Sequence, residues 1–101
     1  MHVISKRVFV EAAQKYPNQR RAILDLYGLL KKGQFASPEK MKCLFPTLDN
    51  FKYKDKWWVI DIGGNNLRLM AFIQFYQNRI FVKHILTHAE YDKLCSTYRK
   101  K

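Results

Sequence analysis

The sequence RIFVKHILTHAEYDKL, residues 79–94, reads as a β-strand that continues directly into an α-helix. In its first half the side chains alternate between two faces, with the period of two that is typical of a strand. One face carries Ile80, Val82, His84 and Leu86, and the other carries Phe81, Lys83, Ile85 and Thr87. On this alternation we expect His84 in the packed face, as a core histidine.

The helical half begins where this period changes. Thr87 and Glu90 have the spacing of a capping box, in which each side chain bonds the backbone N–H of the other residue. Beyond them a helical stripe comprises Tyr91, Leu94, Cys95 and Tyr98. His88 is then the first helical residue, with Tyr91 one turn later on the same side. An imidazole is therefore predicted where a sheet edge meets a helix N-terminus.

The composition limits the class of protein. The chain has 101 residues, 48% hydrophobic and 15% aromatic, which predicts one globular domain over residues 1–101. The net charge of +11 favours a polyanionic partner, with nucleic acid first and an acidic protein or anionic membrane second. Neither a membrane-spanning run nor a signal peptide is recognisable, so we expect a cytoplasmic protein that does not bind membranes. Cys43 and Cys95 lack close His or Cys neighbours, and we expect no metal and no other cofactor.

Two helices are expected before the sheet. The apolar face of the first comprises Val8, Phe9, Ala12, Ala13 and Tyr16. Pro17 ends this helix, and Asn18 is a suitable cap for the next one. The apolar stripe of the second helix comprises Ala22, Ile23, Leu26, Leu29 and Leu30. Gly33 predicts a left-handed residue at its end, and Ser37 caps a short helical connector.

The second half of the chain predicts an antiparallel meander of four strands, at about residues 48–53, 57–62, 67–75 and 79–87. Residues 2–4 are either a further short strand or a lead-in. A hairpin tip at residues 64 and 65 places Asp61 opposite Arg68. A tip at residues 77 and 78 places Phe72 opposite Lys83 and Arg68 opposite Thr87. The predicted fold class is α+β: two N-terminal helices packed on this sheet, and a C-terminal helix.

In this register the two sheet faces differ. The apolar face is expected to pack on the N-terminal helices and comprises Phe51, Trp58, Ile60, Ile62, Leu67, Leu69, Ala71, Ile73, Phe75, Ile80, Val82, His84 and Leu86. The other, which we call the mixed face, comprises Lys52, Trp57, Val59, Asp61, Arg68, Met70, Phe72, Gln74, Phe81, Lys83, Ile85 and Thr87. The C-terminal helix is expected to cover only part of the mixed face.

Arg68 lies in the middle of the mixed face, where a guanidinium can hold a phosphate with two parallel hydrogen bonds. Asp61 opposite it also makes an ordinary cross-strand ion pair, and the two roles are compatible. His88 is either a proton-transfer group or an exposed residue at a helix start. Tyr91 either contacts RNA or packs in the core.

A second group of residues suits RNA binding. Lys52, Lys54 and Lys56 surround one turn beside Trp57, and Lys83 belongs to the mixed face. Cations among aromatic rings are typical of surfaces for single-stranded RNA. Lysines on an edge strand also serve solubility alone, and the sequence leaves both interpretations open.

The chemistry that these residues support is metal-free RNA cleavage. The sequence contains no Walker loop, no Ser elbow and no plausible Cys–His pair, and it has too few acidic residues for a two-metal nuclease. In metal-free cleavage the substrate's own 2′-hydroxyl attacks the adjacent phosphorus. A base removes its proton, an acid protonates the leaving 5′-oxygen, and a cation stabilises the phosphorane.

The motifs GGNNLRL at residues 63–69 and IFVKHILTHAEYDKL at residues 80–94 resemble the HigB toxins, a branch of the RelE/ParE-like toxin superfamily. The likeness covers essentially the whole chain. It implies a RelE-like fold and a ribosome-dependent endoribonuclease that cleaves translated messenger RNA. It also implies a HigA-type helix-turn-helix antitoxin, and a toxin–antitoxin complex that binds operator DNA through the antitoxin.

On this resemblance, Arg68 matches the arginine that stabilises the transition state, and His88 and Tyr91 match positions of catalytic or RNA-stacking groups. One departure concerns the RelE branch, which has lysines on the preceding strand where this sequence has Val59 and Asp61. The general base must therefore be His88 or a lysine of residues 52–56, and we favour His88. The competing classes are a non-catalytic RNA-binding protein and a gyrase-targeting toxin of the same superfamily.

Overall fold

The computed structural model describes residues 1–4, 6–64 and 66–99 and confirms the predicted α+β class. Asn65 of the predicted hairpin tip lies outside these residues. The elements are β1 (His2–Ile4), α1 (Lys6–Lys15), a 3₁₀ turn (Pro17–Gln19), α2 (Arg20–Lys32), α3 (Pro38–Leu44), β2 (Asp49–Asn50), β3 (Trp57–Ile62), β4 (Leu67–Gln74), β5 (Arg79–Thr87) and α4 (His88–Arg99).

Within the described ranges the sheet has five strands, in the order β1-β5-β4-β3-β2. The meander from β2 to β5 is antiparallel, as predicted, whereas β1 joins β5 in parallel. The sheet is therefore mixed, and residues 2–4 are a strand rather than a lead-in. β2 is much shorter than its predicted span of residues 48–53, because the chain leaves the ladder after Asn50.

The register of the last hairpin differs from the prediction for two reasons: its tip lies at residues 76 and 77 rather than 77 and 78, and β5 contains a bulge. Asp61 pairs with Arg68 as expected, but Phe72 lies opposite Phe81 rather than Lys83. Lys83 is the extra residue: Ala71 pairs with Val82, and the next pair joins Met70 to His84. Beyond the bulge every pairing moves by one residue, so Arg68 faces Leu86, where an unbroken ladder would place Ile85 and the predicted tip placed Thr87.

The shift also exchanges the faces of the last part of β5. His84 shares the mixed face with its partner Met70, while Ile85 joins Leu69 in the core beneath the N-terminal helices. The predictions of His84 and Leu86 in the apolar face, and of Ile85 and Thr87 in the mixed face, are therefore wrong. An alternation of strict period two cannot hold across a bulge.

The buried residues that the structure describes form two apolar cores, one on each side of the sheet. The larger core joins the N-terminal helices to the sheet and is built around Phe9, Ile23, Leu30, Ile60, Leu69 and Ile80. The smaller core lies between the mixed face and α4, where Phe51, Val59 and Met70 pack against Tyr91, Leu94, Cys95 and Tyr98. Phe51 was predicted in the larger core, and this prediction is wrong.

The ends of the N-terminal helices correct three further predictions. α2 is preceded by the 3₁₀ turn, so Asn18 lies in that turn and does not cap the helix. Gly33 is extended (φ −77°, ψ 155°) rather than left-handed, although its N–H still bonds the Leu29 carbonyl at 3.0 Å. Leu29 is 47% exposed and stands outside the buried stripe. The predicted Ser37 cap is confirmed, since its hydroxyl accepts from the Lys40 N–H at 3.3 Å.

Candidate active site

Arg68 lies near the start of β4, half-buried on the mixed face. Its Nε is 3.2 Å from Oδ1 of Asp61, the residue directly opposite on β3. The contact has the geometry of an ion pair rather than of an aligned hydrogen bond. On its other side the guanidinium carbon is 4.6 Å from the centre of the Tyr91 ring, a cation–π contact. Because Asp61 is held through Nε, this pair does not use the Nη edge of the guanidinium, which can bind a phosphate in two-point fashion.

The start of α4 is held by the predicted capping box. Oε1 of Glu90 accepts from the Thr87 N–H and hydroxyl at 3.1 Å, and the Glu90 N–H donates to the Thr87 hydroxyl at 3.2 Å. The first turn of α4 is therefore tied to the last residue of β5. This bond network fixes where His88 and Tyr91 emerge beside the sheet.

Glu90 also joins α4 to α1, which the sequence alone does not reveal. Its carboxylate accepts from the Tyr16 hydroxyl at 2.7 Å and forms an ion pair with Lys15 at 3.4 Å. The Thr87 backbone hydrogen bond, followed by the Tyr16 hydroxyl, lowers the pKa of Glu90 to about 2. The carboxylate is thus ionised, and both bonds persist, throughout the neutral range.

Tyr91 combines the two roles that the sequence left open. Its ring packs edge-on against buried Phe51, with centroids 6.2 Å apart, and it also covers the guanidinium of Arg68. Burial, together with a hydrogen bond to Cys95, raises the pKa of Tyr91 to about 12 against the opposing effect of Arg68. Tyr91 is therefore a neutral phenol at working pH, which can donate a hydrogen bond but cannot act as a general base.

His88 is the first residue of α4, as predicted. It lies two positions along the chain from Leu86, which is the cross-strand partner of Arg68. The side chain is half-buried, and its Nε2 is buried without a hydrogen-bond partner among the described residues. A buried polar atom without a partner is costly unless something else supplies the bond. A bound substrate group could supply the missing partner.

Two further groups lie on the mixed face at the bulge: Lys83, as predicted, and His84, which the bulge adds. Lys83 Nζ lies 5.8 Å from the centre of the Phe81 ring. Burial, with the neighbouring Lys83 charge, lowers the pKa of His84. Sequence reasoning missed His84 as a functional candidate because strict alternation assigned it to the other face.

The structure does not bring the lysines of residues 52–56 to Arg68. Lys54 Nζ lies 4.6 Å from the centre of the Trp57 ring and 5.4 Å from the centre of the Tyr98 ring, and Lys52 Nζ lies 5.1 Å from the centre of the Tyr53 ring. The three lysines and Trp57 line an open groove of about 880 Å³. The groove runs from Trp57, whose partner Phe72 is four residues and thus roughly 13 Å from Arg68, to Gln74 at the far end of β4, roughly 20 Å away at about 3.3 Å per residue.

A row of aromatic side chains crosses the mixed face between the groove and β1. Trp57 pairs with Phe72, and Phe72 pairs with Phe81, so three half-buried rings lie on adjacent strands. The Phe72 and Phe81 ring centres are 5.9 Å apart. Alternation places Phe72 and Phe81 on the mixed face, but no motif in the sequence marks them as site residues. Aromatic rings that keep part of their surface exposed suit base stacking.

The residues that the structure describes contain no group of three or more His, Cys, Asp and Glu side chains placed to hold a metal ion. No helix among them is both long enough and apolar enough to cross a membrane. Cys43 is exposed and Cys95 is half-buried, and both are free thiols.

Comparison with known proteins defines the class. The sequence profile of the HigB toxin family, described as the RelE-like toxic component of a toxin–antitoxin system, matches residues 19–94. The chain is 56% identical over 100 residues to the mRNA interferase HigB of Escherichia coli O6:H1 (strain CFT073), covering 99% of this chain and 97% of that protein. It is 40% identical over 101 residues to the mRNA interferase toxin HigB of Escherichia coli K12, covering 100% of this chain and 97% of the relative.

The mRNA interferase HigB of Shigella flexneri matches with the same 40% identity and the same coverage. These matches extend over the elements that build the site, including β4, β5 and the start of α4. The chain therefore belongs to the HigB toxin family, whose members are RelE-like toxins of toxin–antitoxin systems.

Proposed function

We propose that this protein is an mRNA interferase: the toxin of a toxin–antitoxin pair, which cleaves messenger RNA on the ribosome and so inhibits translation. The observation that carries the proposal is the placement of Arg68. Its half-buried guanidinium lies on the mixed face between the Asp61 carboxylate and the Tyr91 ring. An arginine held on two sides is pre-organised to stabilise charge that develops on a phosphate.

In the proposed mechanism the 2′-hydroxyl of the substrate attacks the adjacent phosphorus without a metal ion. Arg68 binds the phosphate and stabilises the phosphorane through its Nη edge. Tyr91 orients the RNA and donates a hydrogen bond as a neutral phenol, in keeping with its raised pKa of about 12. His88 transfers a proton at the reacting oxygens. Each such acid or base contributes roughly 10²–10⁴-fold to the rate.

The RNA extends from this centre along the mixed face. Phe72 and Phe81 offer ring faces for bases, and Lys83 lies next to Phe81 for a phosphate. Lys52, Lys54, Lys56 and Trp57 line the groove at the other end of β4 and bind RNA or the ribosome there. A site with so few catalytic groups gains from a ribosome that presents and positions the message.

The partner in the cell is an antitoxin, as membership of a toxin–antitoxin family implies. We propose that it is a HigA-like helix-turn-helix protein, and that the toxin reaches operator DNA only through it. The protein acts in the cytoplasm, where translating ribosomes are found.

The test is cleavage by the purified protein of a labelled message on programmed ribosomes in the presence of EDTA. We expect cleavage that survives the chelator, and fragments that end in a 2′,3′-cyclic phosphate and a 5′-hydroxyl. Cleavage that requires added metal would contradict the mechanism. Binding with a steep salt dependence but with intact RNA would instead indicate a non-catalytic RNA-binding protein. DNA damage signalling on expression, without loss of messenger RNA, would indicate a gyrase-targeting toxin.

A further inference from the structure

We propose that His84 is the general base of the cleavage reaction, presented on the mixed face next to Arg68 by the β-bulge at Lys83. The proposal rests on the proposed RNA-cleaving function and assigns one chemical step of it. It also replaces His88 in the role of base, and leaves His88 as the acid.

The geometry follows from the observed register. Met70 is buried in the smaller core on the mixed face, and His84 lies directly opposite it. Arg68 lies two residues before Met70 on β4, on the same face, and is opposite Leu86. His84 is therefore the diagonal neighbour of Arg68, at a spacing of about 7–8 Å that long side chains bridge. One phosphodiester held by the guanidinium fits within that distance.

The bulge is what makes this placement possible. Val82 and Ile85 both lie in the larger core, on the helix side of the sheet. In a regular strand, two residues on the same face are separated by an odd number of residues. Val82 and Ile85 are separated by two, Lys83 and His84. The bulge therefore directs a cation and an imidazole to the mixed face at consecutive residues. Bulges recur next to active sites, where they redirect a side chain.

The environment of His84 suits a base. The charged and titratable groups on this face are Lys83 on β5, Arg68 on β4 and Asp61 on β3, with Tyr91, Cys95 and Tyr98 on the part of α4 that packs against the Met70 cluster and His88 at the start of α4. Partial burial and the positive charge of Lys83 lower the pKa of His84, so the imidazole is neutral at working pH and can accept a proton.

In the proposed reaction the neutral His84 imidazole takes the proton of the 2′-hydroxyl while the 2′-oxygen forms a bond to phosphorus. The bond between phosphorus and the 5′-oxygen then breaks, and protonated His88 gives that oxygen a proton. The products are a 2′,3′-cyclic phosphate and a 5′-hydroxyl. Proton exchange with water restores both imidazoles.

The experiment measures single-turnover cleavage on programmed ribosomes from pH 5 to pH 9 for the wild type, His84→Ala and His88→Ala. His2→Ala, which removes an exposed histidine on β1, is the control. We expect His84→Ala to lose about 10²–10⁴-fold in rate and to lose the rise of the rate with pH on the acid side. Added imidazole should restore part of its activity, and His2→Ala should match the wild type.

Thermal melting of His84→Ala and of His84→Asn, which keeps a planar polar side chain, checks that both variants fold. A folded His84→Ala that cleaves at the wild-type rate, or that keeps the acid-side rise, overturns the assignment while the proposed function stands. A slow variant that keeps the wild-type pH profile and does not respond to imidazole overturns it as well. A wild type that leaves the message intact overturns both the assignment and the function.

Discussion

Replacing Glu90 by Ala tests the junction that positions the candidate site. The substitution removes the capping box with Thr87 and the 2.7 Å hydrogen bond from Tyr16. The fall of the Glu90 pKa from 4.5 to about 2 corresponds to about 3 kcal/mol. Since the side chain is 40% exposed, solvent screening reduces this to about 1–2 kcal/mol. Loss of a helix cap alone costs about 1 kcal/mol, in agreement with that range.

We therefore expect Glu90→Ala to lose about 2 kcal/mol of unfolding free energy, or roughly 8–16 °C in Tm for a domain of this size. The assay is urea denaturation followed by tryptophan fluorescence. The matched control is Glu11→Ala, which removes a 61% exposed carboxylate in an i,i+4 pair with Arg7 and should cost at most about 0.5 kcal/mol. Equal losses in the two variants would refute the role assigned to the junction.

The pH dependence gives the same prediction an independent check. The folded pKa of Glu90 lies below the unfolded one, so the stabilisation is complete above pH 4.5 and is lost as the pH falls towards 2. The stability difference between the wild type and Glu90→Gln should therefore be largest near pH 6 and shrink to less than half by pH 3. A difference that stays constant over this range would contradict the account.

Two further predictions concern the smaller core and the groove. Phe51→Ala should cost about 3–5 kcal/mol in urea denaturation, since Phe51 is 3% exposed and contacts four aromatic rings, whereas half-buried Phe72→Ala should cost less. Similar losses of unfolding free energy in the two variants would mean that Phe51 does not anchor α4 to the sheet. Replacing Lys52, Lys54 and Lys56 by Gln should raise KM for programmed ribosomes with little change in the single-turnover rate. The salt slope of single-stranded RNA binding should fall by about 2, and an unchanged slope would remove the groove from the RNA path.

Local signals in the sequence were sufficient for the parts of the site that lie within a few residues of each other. The capping box of Thr87 and Glu90 could be predicted because both partners lie within one helical turn. The pairing of Asp61 with Arg68 could be predicted because the β3–β4 turn is short enough to fix the register.

The remaining features depend on contacts that the local pattern does not encode. The bulge at Lys83 has no glycine or proline to mark it, since each residue around it also suits a regular strand. Phe51 changes sides because the chain leaves the ladder after Asn50, where alternation no longer applies. The bond from Tyr16 to Glu90 joins residues 74 apart and follows only from the packing of α1 against the sheet.

The central claim is that the Arg68 guanidinium stabilises the scissile phosphate on the mixed face. The most direct measurement is the single-turnover rate of message cleavage on programmed ribosomes, in EDTA, for the wild type, Arg68→Ala and Arg68→Lys. Arg79→Ala, which removes an exposed arginine at the start of β5, is the matched control. We predict that Arg68→Ala lowers the rate by about 10²–10³-fold with ribosome binding retained, that Arg68→Lys recovers only part of it, and that Arg79→Ala has no effect. Cleavage by Arg68→Ala at the wild-type rate would contradict the account.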